Sequence, residues 1–262
     1  MKYLIIYFLL LMTPLFAAVC EKKYNIQKLN SDTQLFVIID QTTKFPENIQ
    51  EQVKEKIKPF IKQGNTVTIL KFSSNTGGSS TKIVFDESFD RVMSEDEQYT
   101  TSRRTLMRYN HCSKVALGKF HNKVPNVIQN IFDTSDDTIP KSDIVKNIKD
   151  ISLVKIKNDS SDNKVVLLVS DMVENSSFLN FYRVLLSKQF IPDIEAKKIF
   201  EQLPSNFYNA NLYVIGTGYT KSGKFSSGKA LEKVTKFWKA YFNLANANIK
   251  EIGQPLLMSD LK

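Results

Sequence analysis

The sequence predicts an α/β domain: a doubly wound, mostly parallel sheet with one antiparallel edge hairpin and helices on both faces. Three observations lead there. Continuous apolar runs such as Leu35-Phe36-Val37-Ile38-Ile39 and Val165-Val166-Leu167-Leu168-Val169 have the pattern of strands buried on both faces. Segments with apolar residues at helical spacing lie between such runs. Two of the runs end at aspartates, Asp40 immediately and Asp171 after Ser170.

Taken in order, residues 1–20 (MKYLIIYFLLLMTPLFAAVC) read as an export signal. Lys2 is the positive start, 3–16 the apolar stretch, and Ala17-Ala18 the small residues near a cleavage point. A bilayer span takes about 20 apolar residues. This stretch is shorter and holds Pro14, so no transmembrane span is expected in the mature chain. Residues 21–33 form a polar N-terminal tail, and 34–262 the domain. After the first strand, Pro46 opens a helix over 47–62, which Gly64-Asn65 ends. A second strand over 66–72 and a third over 81–85 form the hairpin, joined by a Gly/Ser/Asn turn. A helical insertion follows over about 90–140, then a helix near 142–151 and a fourth strand ending at Ser170-Asp171. Helices are expected over 178–188, 193–203 and 229–246, with strands over 212–216 and 248–252.

The chain has 262 residues, 42% apolar and 24% charged, with 18 Phe and 10 Tyr, which excludes a disordered chain. The formal charge of +9 makes an anionic partner one expectation. No run of five basic residues occurs, so a solvated lysine-rich surface explains the charge as well. The cysteines, Cys20 and Cys112, are a disulfide candidate in an oxidising compartment. The alternative for Cys20 is a lipid anchor, although Val19 is bulky for the position before a lipidated cysteine. The expected location is therefore periplasmic or extracellular.

Ligands of doubly wound sheets gather beyond the carboxyl ends of the strands, where the strand order reverses. Asp40 and Asp171 occupy two such ends. Asp40-Gln41-Thr42-Thr43-Lys44, followed by a strand closing in Phe72-Ser73-Ser74, resembles the opening of a von Willebrand factor A (VWA) domain, a Rossmann-like fold. In that family the strand ends in Asp-x-Ser-x-Ser. Ser170-Asp171-Met172 matches the family's later acidic position, and the segments 170–176 and 237–242 are similar to exported bacterial members. The resemblance covers roughly 35–252. It implies a non-enzymatic binding or scaffold protein with a protein partner, and a metal-ion-dependent adhesion site at the strand-end loops. The implied metal ligands are Asp40, Thr42 and Asp171, with Ser142 as candidate for the central hydroxyl and Glu174 in the same loop cluster. Lys44 replaces the last serine, and an ammonium has no lone pair for a metal. The expectation is that Lys44 pairs with Asp40 and Asp171, leaving a degenerate site and no cofactor. The alternative is a retained Mg²⁺ site, since that ion takes oxygen ligands.

Competing chemistries fit less well. Asp-x-x-Thr at Asp40 also resembles haloacid-dehalogenase-type phosphotransferases, with Asp40 as nucleophile, but Thr42 stands where their second acid belongs. Gly218 and Gly223-Lys224 complete a G-x4-G-K pattern, yet Phe225 follows in place of Ser or Thr, so no nucleotide is expected. Lys221 and Lys224 are assigned instead to a basic loop able to contact an anionic partner. His111 and His121 are ten residues apart, about 15 Å along a helix, too far to share an ion.

Overall fold

The computed structural model describes residues 19–74, 81–185, 187–219 and 228–262. Lys221 and Lys224, most of the segment expected to be an export signal and most of the expected hairpin turn lie outside them.

The described chain runs α1 (Val19–Tyr24), β1 (Thr33–Asp40), α2 (Glu47–Ile57), β2 (Thr66–Phe72), β3 (Thr81–Ser88), α3 (Glu95–Thr100), α4 (Arg103–Asp133), α5 (Ile144–Ile151), β4 (Asn163–Val169), α6 (Phe181–Val184), α7 (Pro192–Gln202), β5 (Asn211–Ile215), α8 (Gly228–Leu244) and β6 (Asn248–Ile252). The six strands form one sheet in the order β3-β2-β1-β4-β5-β6. β3 pairs antiparallel with β2, and every other pairing is parallel. The expected fold class is the observed one.

Strand alternation divides the core in two. Phe36 and Ile38 of β1, with Val166 and Leu168 of β4, face α5, α7 and α8 through Ile148, Ile199, Phe237 and Trp238. Leu35, Val37 and Ile39, with Val165, Leu167 and Val169, face α2 and α4 through Val53, Ile128 and Phe132. A buried Leu, Ile or Phe contributes about 1.5–3 kcal/mol, so this double layer is the main source of stability. It also fixes the register that brings Ile39 level with Val169. The next residues, Asp40 and Ser170, therefore emerge side by side at the reversal point between β1 and β4.

Some elements differ from the sequence reading. The helix expected over 178–188 is a single turn, α6, because residues 172–180 are spent on a loop bridged by Asn175 to Ser142 and Asn180. The 47–62 helix tightens into a 3-10 turn at Lys58–Phe60, where Pro59 withholds a backbone donor. The insertion is built chiefly from the 31-residue α4. Residues 19–24, which span the end of the expected export signal and the start of the expected polar tail, form the helix α1 and are tied to the domain. Cys20 is bonded to Cys112 of α4, and Asp90 Oδ1 accepts from both Cys20 N and Glu21 N at 3.0 Å. Glu21 in turn accepts from Arg91 N at 2.9 Å. The thioether of a lipid anchor at Cys20 would exclude this disulfide.

Candidate functional site

The loops after β1 and β4 converge with the segment before α5. Thr42 folds back on Asp40, whose Oδ1 accepts from Thr42 N at 2.8 Å and Thr42 Oγ1 at 2.7 Å. Asp40 Oδ2 accepts from Ser170 Oγ at 2.9 Å. Ser142 Oγ lies 2.7 Å from Thr42 Oγ1. With the Thr42 proton directed at Asp40, Ser142 donates to Thr42. Asp171 is held in the same way: Oδ1 accepts from Val173 N at 2.8 Å and Oδ2 from Thr43 Oγ1 at 2.9 Å. Asp40, Thr42, Thr43, Ser142, Ser170 and Asp171 are all buried. The arrangement is two carboxylates in a frame of hydroxyl and amide donors, offering oxygen atoms and no nitrogen or sulfur ligand.

The surrounding loops are fixed from behind. Met172 takes a positive φ of 61°, and its carbonyl accepts from the buried Trp238 Nε1 at 2.7 Å. Gly218 N donates to Asp171 O at 2.9 Å. Gly216, at φ 101°, passes so close to β1's loop that a Cβ there would stand 2.6 Å from the Phe45 ring and 2.9 Å from Ser170 O. Ser142 exchanges backbone hydrogen bonds with Asn175 at 3.1 and 3.2 Å, tying the central hydroxyl to the β4 loop.

Glu174 stands behind Ser142. Its Oε2 accepts from Val145 N at 3.0 Å, at the start of α5. Its Oε1 is buried and has no hydrogen-bond partner among the described residues. Burial pushes this carboxyl up to about 8, so it is protonated at neutral pH. Thr217 Oγ1 is a second buried polar atom without a partner among the described residues.

Lys44 departs from expectation. Its ammonium lies 3.4 Å from Asp137 on a side chain 58% exposed, and does not pair with Asp40 or Asp171. Phe45, the next residue, is buried against Phe132 and Tyr219, which anchors the backbone so that Lys44 projects outward. The sequence reading quoted Thr43 and Ser170 in its motifs without giving them a site role, and did not single out Tyr182. The Tyr182 phenol is raised by burial and then by the charges of Asp171 and Asp40. Ser170 directly precedes Asp171 and Thr43 lies three residues after Asp40, and that proximity was their available signal. Nothing in the pattern around Tyr182 marks it. Among the described residues no group of three or more His, Cys, Asp or Glu is placed to hold a metal ion, and His111 and His121 form no such centre.

The fold and the site together define a class: a doubly wound α/β domain with a carboxylate–hydroxyl cluster in the crevice where its strand order reverses. No family model matches the sequence, and no curated protein is similar to it at a significant level. Among solved structures the chain is similar to the pilus adhesin SpaC from Lactobacillus rhamnosus GG in its open conformation, with 11% identity and a TM-score of 0.40. That match covers 86% of this chain and 28% of the adhesin. The chain is also similar to the N-terminal domain of TFIIH p34, with 12% identity and a TM-score of 0.35, over 86% of this chain and 93% of that one. No helix among the described residues is long and apolar enough to cross a membrane.

Proposed function

We propose that this chain is an exported, non-enzymatic binding protein of VWA type, and that its strand-end loops engage a protein partner through the Asp40–Asp171 crevice. The observation that supports this most is the convergence of Asp40, Thr42, Ser142, Thr43 and Asp171 on one crevice, with Lys44 turned away to Asp137. With the lysine outside, nothing it contributes neutralises the two carboxylates. Two buried carboxylates and adjoining hydroxyls fit a hard cation, which takes oxygen ligands. Asp40, Thr42, Ser142 and Asp171 would hold it. When bound, a cation such as Mg²⁺ would take a carboxylate of the partner into its shell.

A metal-free adapter is the second reading, favoured by one observation. All four carboxylate oxygens of Asp40 and Asp171 already accept hydrogen bonds from the protein. A phosphotransferase is disfavoured because Asp40, its required nucleophile, is fully buried and engaged at both oxygens.

Melting the purified protein in chelator and then in millimolar Mg²⁺, Mn²⁺ or Ca²⁺ tests the reading. A ligand that binds only the native state stabilises it by about 2.7 kcal/mol at a hundredfold excess over its dissociation constant. The expected outcome is a rise in melting temperature that Asp171→Ala abolishes. No rise with any of the three ions would leave the metal-free adapter.

A further inference from the structure

A cavity of about 1050 Å³ lies between α1 and the Met107–Lys123 stretch of α4, lined by none of the strand-end residues. Its floor is apolar: the Cys20–Cys112 disulfide, Tyr24, Ala116 and Phe120. Met107 and Val115 on one wall are 64% and 47% exposed, an unusual use of apolar side chains on a solvated helix. The rim is cationic. Lys23, Arg108, Lys119 and Lys123 line it against one carboxylate, Glu87, which already lies 3.4 Å from Lys123. Arg108 and Lys119 form no ion pair among the described residues.

Shape narrows the occupant. The α4 positions that line the groove recur at steps of three and four from Met107 to Lys123. They form one continuous face about 24 Å long. A helix laid along α4 would place its apolar stripe against the apolar lining. The rim then needs negative charge beside that stripe.

We propose that this groove docks an amphipathic helix of a partner protein, one whose apolar face is flanked by Asp and Glu. The disulfide holds α1 against α4 and so fixes both walls. The site is separate from the strand-end crevice and stands or falls independently of it.

The test is selection from a displayed library of helical peptides, about 18 residues long and of mixed charge, panned on the purified protein. The Arg108→Glu/Lys119→Glu variant serves as counter-target. Both side chains are exposed, so its melting temperature should match the parent's. If it does not, Val115→Asp on the exposed wall replaces it. The expected winners carry apolar residues at i, i+3, i+4 and i+7 with excess Asp and Glu. A synthetic winner should bind the charge-reversed variant about tenfold or more weakly, and lose affinity as salt is raised. Neutral or basic winners, equal binding to the variant, or no enrichment would overturn the proposal. Retention on phosphatidylglycerol vesicles without any peptide winner would assign the face to a lipid surface instead, and overturn it equally.

Discussion

At the residue scale, the site depends on groups placed where ordinary side chains would fail. Gly216 adopts a φ of 101° and leaves no room for a Cβ beside Phe45 and Ser170. Gly216→Ala should therefore cost about 2 kcal/mol or more in chemical denaturation, far above a surface substitution. Glu174 gives a pH signature. Its folded-state value of about 8 is raised above the unfolded 4.5, so its contribution is fully present below the unfolded value and fades as pH rises through 8. Between pH 5 and 8 the protein should lose stability through this group. Glu174→Gln should flatten that part of the profile and melt higher than the parent at pH 8; parallel profiles would contradict the assignment. The positions of Asp40 and Asp171 were legible because each closes a short, β-branched apolar run with the pattern of a buried strand. The direction of Lys44 was not legible, since it is set by Asp137 and by the packing of Phe45 against α4 and the β5 loop, contacts remote in sequence. The place of Tyr182 was hidden for the same reason.

At the element scale, strand existence and type followed from apolar runs, and the long helices from their 3.6-residue periodicity. What failed was the helix expected over 178–188, whose periodic residues are used in a loop instead: Leu179 is buried, and Ser176 accepts from Leu179 N at 3.3 Å. Local pattern cannot see the bridge from Asn175 to Ser142 that competes with helix formation there. The docking of α1 is likewise non-local, resting on Asp90 and on a disulfide that closes a separation of 92 residues. In the chain-entropy account such a crosslink stabilises by about 4–5 kcal/mol at most. The Cys20→Ser/Cys112→Ser protein should melt lower than the parent, and thiol titration of the denatured, unreduced parent should find no free thiol. A parent with two titratable thiols would show that the bond does not form.

At the scale of the whole molecule, the central place of β1 comes from its neighbours on both sides, β2 and β4. The sequence announces that centrality only as an unbroken apolar run. Strand order itself is not written in local pattern; the alternation of strands and helices implies parallel pairing, and the order then decides which loops meet. Here it brings the β1 and β4 loops together. The protein thus has two separate surfaces, a carboxylate crevice at the strand ends and a cation-rimmed groove beneath α1. The +9 charge fits the second better than the first. The central claim is that the crevice takes a hard cation in order to bind. The most direct measurement is the fraction of Mn²⁺ retained by the protein, read by electron paramagnetic resonance during titration. The account predicts retention at one ion per chain, displaced by Mg²⁺ and lost in Asp171→Ala. No retention, or retention unchanged by that substitution, would contradict it.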